Sequence, residues 1–222
     1  MNENEILFNE INKFGPMGKD KLLDDIDSVP EEKSTSLEVA LLIKEGAIFL
    51  RDFQRRKAFV ERYSWAVPSE EAINEIVKFV GKDKVIEVGA GLGLWAKLLH
   101  GHNIRIRATD NYDKGWYKAR NNFYPVRKVA YRRALKLYEK SEVLFLCWPP
   151  YNTPLAHHSL KMFNGNKFIY IGEHGGCNGD EPFFHLLKTQ WKKIKRVSLI
   201  QWPLIHDEMY FYVRRVKRVR ES

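Results

Sequence analysis

The sequence predicts an α/β domain. Its sheet is doubly wound and mostly parallel, with a C-terminal antiparallel edge pair, and an N-terminal helical extension precedes it. Three observations lead there. From residue 68 onward, short apolar runs alternate with helical patterns, as in right-handed strand–helix–strand units. The first apolar run ends in a turn carrying Gly89, Gly91 and Gly93. The last two runs are joined only by "LIH", too short for a crossover helix, so they must pair antiparallel.

Residues 1–35 are polar, with "GPMG" and "SVPEEKSTS" as loop signals, and read as a partly ordered arm. Residues 36–63 read as helix. Leu37, Ala40, Leu41, Ile48, Phe49 and Phe59 form a helical stripe, and Gly46 is a point where that helix could break in two. Residues 1–64 are therefore taken as arm and extension, and 65–222 as the main domain. "PSEEAINEIVKFVG" (68–81) is a helix with Ser69 as N-cap, Glu70 and Glu71 in the first turn and Gly81 at its end. "KVIEVGAG" (84–91) is a strand running into glycines, "LWAKLLHG" (94–101) a helix and "IRIRATD" (104–110) a strand. A basic, partly helical segment follows, with "VRKVAY" (126–131) as third strand. "EVLFLCW" (142–148) is the fourth. "TPLAHHSLKMF" (153–163) is helix, "KFIYIGE" (167–173) strand and "DEPFFHLLKTQWKKI" (180–194) helix. "RVSLIQWP" (196–203) and "DEMYFYVRR" (207–215) are the closing strands.

The composition is that of an ordinary globular chain, 44% hydrophobic and 29% charged. No apolar run reaches the roughly 18–20 residues a membrane span requires. The acidic start "MNENEILFNE" lacks the layout of a secretory signal. Cys147 and Cys177 make no disulfide framework. They read as reduced thiols of an intracellular protein, cytoplasmic or nuclear, with a lone disulfide between them as the alternative. The net charge of +9 is uneven: residues 1–33 hold nine acidic and four basic side chains, which leaves +14 on the rest. Basic density peaks at 51–62, 114–140 and 213–220, a distribution that favours RNA or DNA as partner. Solvated helix faces are the plainer reading. The N-terminal extension is a candidate surface for a protein partner.

The most specific motif is "VIEVGAGLGLW" (85–95), in which Glu87, Gly89, Gly91 and Gly93 space as E-x-G-x-G-x-G at a strand-to-helix turn. Glycines there let backbone approach a ligand closely. The turn lies at the carboxyl end of the first strand, where open α/β sheets bind ligands. Asp110 ends the next strand, and its carboxylate can accept both hydroxyl hydrogens of a ribose. Asp113, three positions on, is the alternative. The dinucleotide fingerprint G-x-G-x-x-G fits less well, because Leu94 stands where its third glycine should be.

With its preceding carboxylate, the turn resembles the cofactor site of class I, Rossmann-like, S-adenosyl-L-methionine-dependent methyltransferases. The resemblance covers about residues 65–215, by motif and strand order. It implies S-adenosyl-L-methionine as cofactor, with Glu87 and the turn Gly89-Ala90-Gly91 through Gly93 around its amino-acid end, and Asp110 and Asn111 at the ribose. The family's adenine-side Asp or Asn has no counterpart after the third strand, where Arg132 and Arg133 stand.

The fourth strand ends in "CWPPY". Many amino-methylating members of the family carry Asn/Asp-Pro-Pro-Tyr/Phe there. In those the side-chain oxygen and the first proline carbonyl accept from the target amine, and the aromatic ring stacks on a planar substrate. Here the set is Trp148-Pro149-Pro150-Tyr151. Indole donates and cannot accept. Three outcomes stay open: another acceptor replaces the lost one, the substrate is not a planar amine, or catalysis has been lost and the chain is a methyltransferase-like binding subunit for nucleic acid or a protein partner. Glu173 is the candidate replacement acceptor or base, and His174 a further base. The plainer role for Glu173 is capping backbone amides. His157 and His158 are adjacent and do not chelate one ion readily, so no metal site is expected. Tyr63 and Trp65 are candidates either for the cofactor mouth or for core.

Overall fold

A computed structural model describes residues 2–15, 37–112 and 122–215. Seven strands form one sheet: β1 (Lys84–Val88), β2 (Arg105–Asp110), β3 (Val126–Lys128), β4 (Val143–Cys147), β5 (Lys167–Gly172), β6 (Trp191–Ser198) and β7 (Glu208–Arg214). Their spatial order is β3-β2-β1-β4-β5-β7-β6. Pairing is parallel from β3 through β5, and β7 runs antiparallel to both β5 and β6. The chain order reverses between β1 and β4, and a crevice opens at the carboxyl ends there. The expected Rossmann-like architecture is the observed one.

Seven helices surround the sheet among the described residues: α1 (Glu3–Phe14), α2 (Leu37–Arg62), α3 (Glu70–Val80), α4 (Leu94–Gly101), α5 (Tyr131–Leu137), α6 (Leu155–Met162) and α7 (Glu181–Gln190). One face is covered by α1, the end of α2, α3 and α4, with Ile11, Phe59, Ile73, Ile76 and Leu98 buried against Val85, Phe145 and Phe211. The other is covered by α5, α6 and α7, with Ala134, Leu160, Phe183 and Leu187 against Ile86, Leu144 and Phe168. Each large aliphatic side chain buried this way contributes roughly 2 kcal/mol. Local chemistry sets the helix ends as expected for α3. Ser69 accepts from the Ala72 amide at 3.1 Å, and Gly81 takes a left-handed φ of 61°.

Four expectations change. The arm contains α1, closed by a capping box between Asn2 and Glu5 and docked through Leu7, Phe8 and Ile11; residues 16–36 lie outside the described set. Gly46 does not break α2. Of the α2 stripe, Phe59 is buried, and the side chains of Leu37, Ala40, Leu41, Ile48 and Phe49 lie outside the described set. The third strand stops at Lys128, because Tyr131 opens α5. The last long helix stops at Gln190, and β6 begins at Trp191. Burial of Trp191 beneath Arg214, 4.5 Å from the ring centroid, together with pairing to β7, outweighs the helical character of "KTQWKKI". The β6–β7 connection, residues 199–207, is correspondingly longer than expected and carries buried Trp202 and Asp207.

Candidate active site

A cavity of about 730 Å³ opens at the carboxyl ends of β1, β2 and β4, within the range of small-molecule sites. Its β1–β2 side is lined by Glu87, Gly89, Ala90, Asp110, Asn111 and Tyr112, and its β4 side by Trp148, Pro149, Pro150 and Tyr151. The structure thus brings both predicted clusters into one space.

The three turn glycines all have positive φ (76°, 55° and 76°) but do different work. A Cβ on Gly89 would meet nothing within 4 Å, so its backbone stands open. The amides of Gly89 and Ala90 both donate to the Thr109 carbonyl, at 2.9 and 3.0 Å, which ties the turn to β2. Gly91 donates to Asp110 Oδ2 at 2.9 Å. Gly93 caps α4 and faces β3 rather than the cavity: a Cβ there would lie 2.8 Å from Val126 Cγ2.

Glu87 is 1% exposed and its Oε2 has no hydrogen-bond partner. Burial, reinforced by the negative Asp110, raises its carboxyl from 4.5 to about 8. A buried, unpartnered acceptor on a cavity wall calls for a cationic or donating ligand. Asp110 accepts from Gly91 through Oδ2 and from the Tyr112 amide through Oδ1 at 2.7 Å. A carboxylate offers roughly four acceptor sites, so two remain for hydroxyl donors. Tyr112, not singled out in the sequence, is held at φ 57° and donates its hydroxyl to the Gly91 carbonyl at 3.2 Å. Asp113 lies outside the described residues.

Trp148 is also left-handed, at φ 50°. Such strain in a non-glycine residue persists where the surroundings enforce it, and it concentrates at functional sites. The Trp148 amide donates to the Ile171 carbonyl at 2.8 Å and its indole N–H to Asp207 Oδ2 at 3.0 Å. Its ring stacks on Trp65, with centroids 5.6 Å apart and planes 20° apart. The Arg56 guanidinium lies 5.5 and 5.6 Å from the two ring centroids. Asp207 is 2% exposed, and burial raises its carboxyl to about 6 against the lowering effect of the Trp148 bond. Pro149 is buried, and its carbonyl accepts from the Gly179 amide at 3.2 Å. Tyr151 stands at the rim, 67% exposed.

Glu173 and His174 do not line the cavity. The Glu173 carboxylate accepts from the His206 amide at 2.8 Å and the Cys177 amide at 3.3 Å, binding the β5–α7 loop to the β6–β7 loop. His174 packs on Phe184 and Tyr210, and burial lowers its pKa. Asn178 from the same loop does line the cavity. It is 1% exposed, its Oδ1 accepts from the Glu173 amide at 2.6 Å, and its Nδ2 is buried without a partner. Trp65 reaches the cavity, whereas Tyr63 is core. Cys147 and Cys177 both line the cavity as free thiols, and burial pushes the Cys147 thiol well above the ordinary value. His158 meets Tyr131 and Arg132 through Nδ1 rather than pairing with His157 on an ion. Among the described residues no three His, Cys, Asp or Glu side chains converge as metal ligands, and no helix is long and apolar enough to cross a membrane.

Several basic residues of the charged stretches serve the fold. Arg55 donates to the Lys13 and Gly15 carbonyls at the end of α1, and Arg62 lies over Phe14 and Tyr63. Arg214 donates to the Phe163 and Gly165 carbonyls and Arg215 to that of Trp191. Residues 113–121 and 216–222 lie outside the described set. Arg127, Lys128, Arg132 and Arg133 remain exposed on β3 and α5.

Sequence reasoning missed Arg56, Asn178 and Asp207. For Arg56 a signal existed: Asp52 and Arg56 fall in phase with buried Phe59 on α2 and with Tyr63 just after its end, and Asp52 is itself buried. A charged pair on an apolar stripe marks a polar group turned inward. For Asp207 nothing local pointed to Trp148, 59 positions away.

No family model matches the sequence, and no curated protein is similar to it. Among solved structures, the N-methyltransferase NodS from Bradyrhizobium japonicum WM9, in complex with S-adenosyl-L-homocysteine, is 13% identical, with 74% of this chain matched to 96% of that one at a TM-score of 0.48. Magnesium protoporphyrin IX methyltransferase from Synechocystis PCC 6803, with bound S-adenosylmethionine, is 9% identical over 97% of this chain and 98% of that one, at 0.45. A chain of a fibrillarin/Nop5p complex is 17% identical over 61% and 74%, at 0.43. At these identities and TM-scores the likeness carries no argument about what the site binds, which rests on the chain's own residues.

Proposed function

We propose that the protein is a methyltransferase that takes its methyl group from S-adenosyl-L-methionine. One observation carries this reading. A single cavity joins an unpartnered buried carboxylate, Glu87, and an open glycine turn to the proline-proline-tyrosine corner of β4.

When bound, the cofactor supplies an electrophilic methyl carbon on a sulfonium. The chain's part is to hold and to orient. Glu87 Oε2 is suited to the amino acid's ammonium, the open Gly89–Ala90 backbone to its close approach, and Asp110, with two acceptor sites free, to the ribose hydroxyls. Asn111 and Tyr112 continue the wall.

For the acceptor we propose nucleic acid or another planar amine-bearing group. The exposed Tyr151 ring offers a stacking face at the rim. The Pro149 carbonyl keeps a second lone pair beside its bond to Gly179. Such positioning of a nitrogen against a methyl carbon is the main gain for a reaction of this class. Exposed Arg127, Lys128, Arg132 and Arg133 support a polyanionic acceptor.

Calorimetry with S-adenosyl-L-methionine and S-adenosyl-L-homocysteine is the first test, and no binding to either at millimolar concentration ends the reading. The second is a radiolabelled methyl-donor assay on lysate fractions treated separately with nuclease and protease. Label that disappears with nuclease supports a nucleic-acid acceptor. Cofactor binding with no transfer to any fraction points to a binding subunit instead.

A further inference from the structure

Three cavity-lining residues hold buried hydrogen-bond donors with no partner among the described residues: one is the core indole of Trp95, and the other two are polar side chains. Arg56 Nε and Asn178 Nδ2 are both buried and unpartnered. The Asn178 orientation is fixed, since its Oδ1 receives the Glu173 amide at 2.6 Å. The Arg56 guanidinium lies over two indole faces, and no carboxylate lies within ion-pair distance of it among the described residues. The carboxylates that act on it from further off are Asp207, whose Oδ2 holds the Trp148 indole and whose Oδ1 has no partner, and Glu173, which holds two backbone amides. A half-buried guanidinium fork against two tryptophans, lining the same cavity as a buried amide donor, is matched to an oxygen ligand that accepts bidentately.

Their place separates them from the cofactor turn. That turn sits over β1 and β2, whereas Arg56 neighbours Trp148 after β4, Glu173 and Cys177 after β5, and Asp207 before β7. We propose that the acceptor molecule carries an oxyanion, carboxylate or phosphate, and that Arg56 together with Asn178 receives it on the β4–β5 side of the cavity. This rests on the methyltransferase reading only in calling the ligand the acceptor. Arg56 is thereby a specificity residue that fixes which molecules present their reactive group beside Pro149 and Tyr151.

The test is calorimetry on the full chain with phenyl phosphate, benzoate and neutral phenol, run on the free protein and on protein saturated with S-adenosyl-L-homocysteine. At least one anion binds about tenfold or more tightly than phenol, and which one does so separates phosphate from carboxylate. Arg56→Met abolishes the difference, and Arg56→Lys, which keeps the charge but loses the fork, retains part of it. Affinity for S-adenosyl-L-homocysteine stays within about twofold in both variants, which also reports that they are folded. Equal binding of phenol and both anions, or no binding of any probe at millimolar concentration, overturns the proposal. So does an anion preference that survives Arg56→Met. A tenfold loss of S-adenosyl-L-homocysteine affinity in Arg56→Met overturns it too, by placing the guanidinium on the cofactor's carboxylate. If S-adenosyl-L-homocysteine itself does not bind wild type, the methyltransferase reading fails while the free-protein arm still decides the oxyanion site, with refolding of the variants then read from their thermal melts.

Discussion

Glu87→Gln should make the ligand-free protein more stable and the ligand-bound protein weaker, and the two effects have different pH signatures. The folded carboxyl titrates at about 8 against an ordinary 4.5, with burial as the main cause and Asp110 as the second. Below pH 4.5 the group is protonated in both folded and unfolded chains and costs nothing. Above it the unfolded chain ionises and the folded one does not. Each further pH step then removes about 1.4 kcal/mol of stability, until the folded group ionises near pH 8. At pH 7 the penalty is about 3 kcal/mol, a large part of a typical domain's stability. Gln is neutral throughout and has no such term. Urea unfolding at pH 4.5 and at pH 7 should therefore show the variant's advantage growing by about 3 kcal/mol between them. A cationic ligand draws the Glu87 proton off. Calorimetry at pH 7 in buffers of differing ionisation enthalpy should show close to one proton released by wild type on binding S-adenosyl-L-homocysteine. The variant should release none and bind at least about tenfold more weakly. A stability difference that does not change with pH, or wild-type binding without proton release, would refute the reasoning that Glu87 is a protonated, unpaired acceptor waiting for a cation.

Asp110→Asn puts an amide where two backbone donors now converge, from Gly91 and Tyr112. The turn should loosen and S-adenosyl-L-homocysteine affinity fall by about tenfold or more, measured by calorimetry. Trp148→Phe keeps the stack on Trp65 but strips Asp207 of its donor. Destabilisation should be about 1–3 kcal/mol at pH 7.5 and smaller at pH 4.5, where Asp207, already raised to about 6, is protonated; equal losses at the two pH values would contradict this. Gly93→Ala forces a side chain into a φ of 76° and against Val126, and should lower the melting temperature by several degrees. An unchanged melt would show that β3 yields freely.

The glycine-turn half of the cavity was legible because its residues are local in sequence. Glu87, the three glycines and Asp110 span 24 residues, and strand-to-helix geometry alone brings them to one edge. The fold was legible for a similar reason: strands buried on both faces read as plain apolar runs, as in β4 and β5. β6 was not, because it is an edge strand exposed along Lys192–Arg196, and its lysines carry neither alternation nor burial to distinguish it from helix. The N-terminal helix was hidden behind acidic composition, although Asn2 and Glu5 already had capping-box spacing.

The β4 half was legible only as an anomaly. Trp148 stands where an acceptor was expected, and the structure puts the acceptor behind it, on Asp207, with the indole as donor. Pro149 gives its carbonyl to Gly179. Among the described residues lining this side, the buried polar side-chain atoms without a partner are Arg56 Nε and Asn178 Nδ2, both donors; Asp207 Oδ1, a buried acceptor without a partner, is not part of the lining. The oxyanion contact proposed for Arg56 and Asn178 would let this wall select on what lies beside the reactive group, together with the positioning of the amine proposed for Pro149 and Tyr151. Arg56→Met and Trp148→Phe should consequently part in their effects. The first should change which acceptors bind, through a lost anion contact. The second should change how firmly the corner is held, through a stranded Asp207 charge, with the anion preference intact.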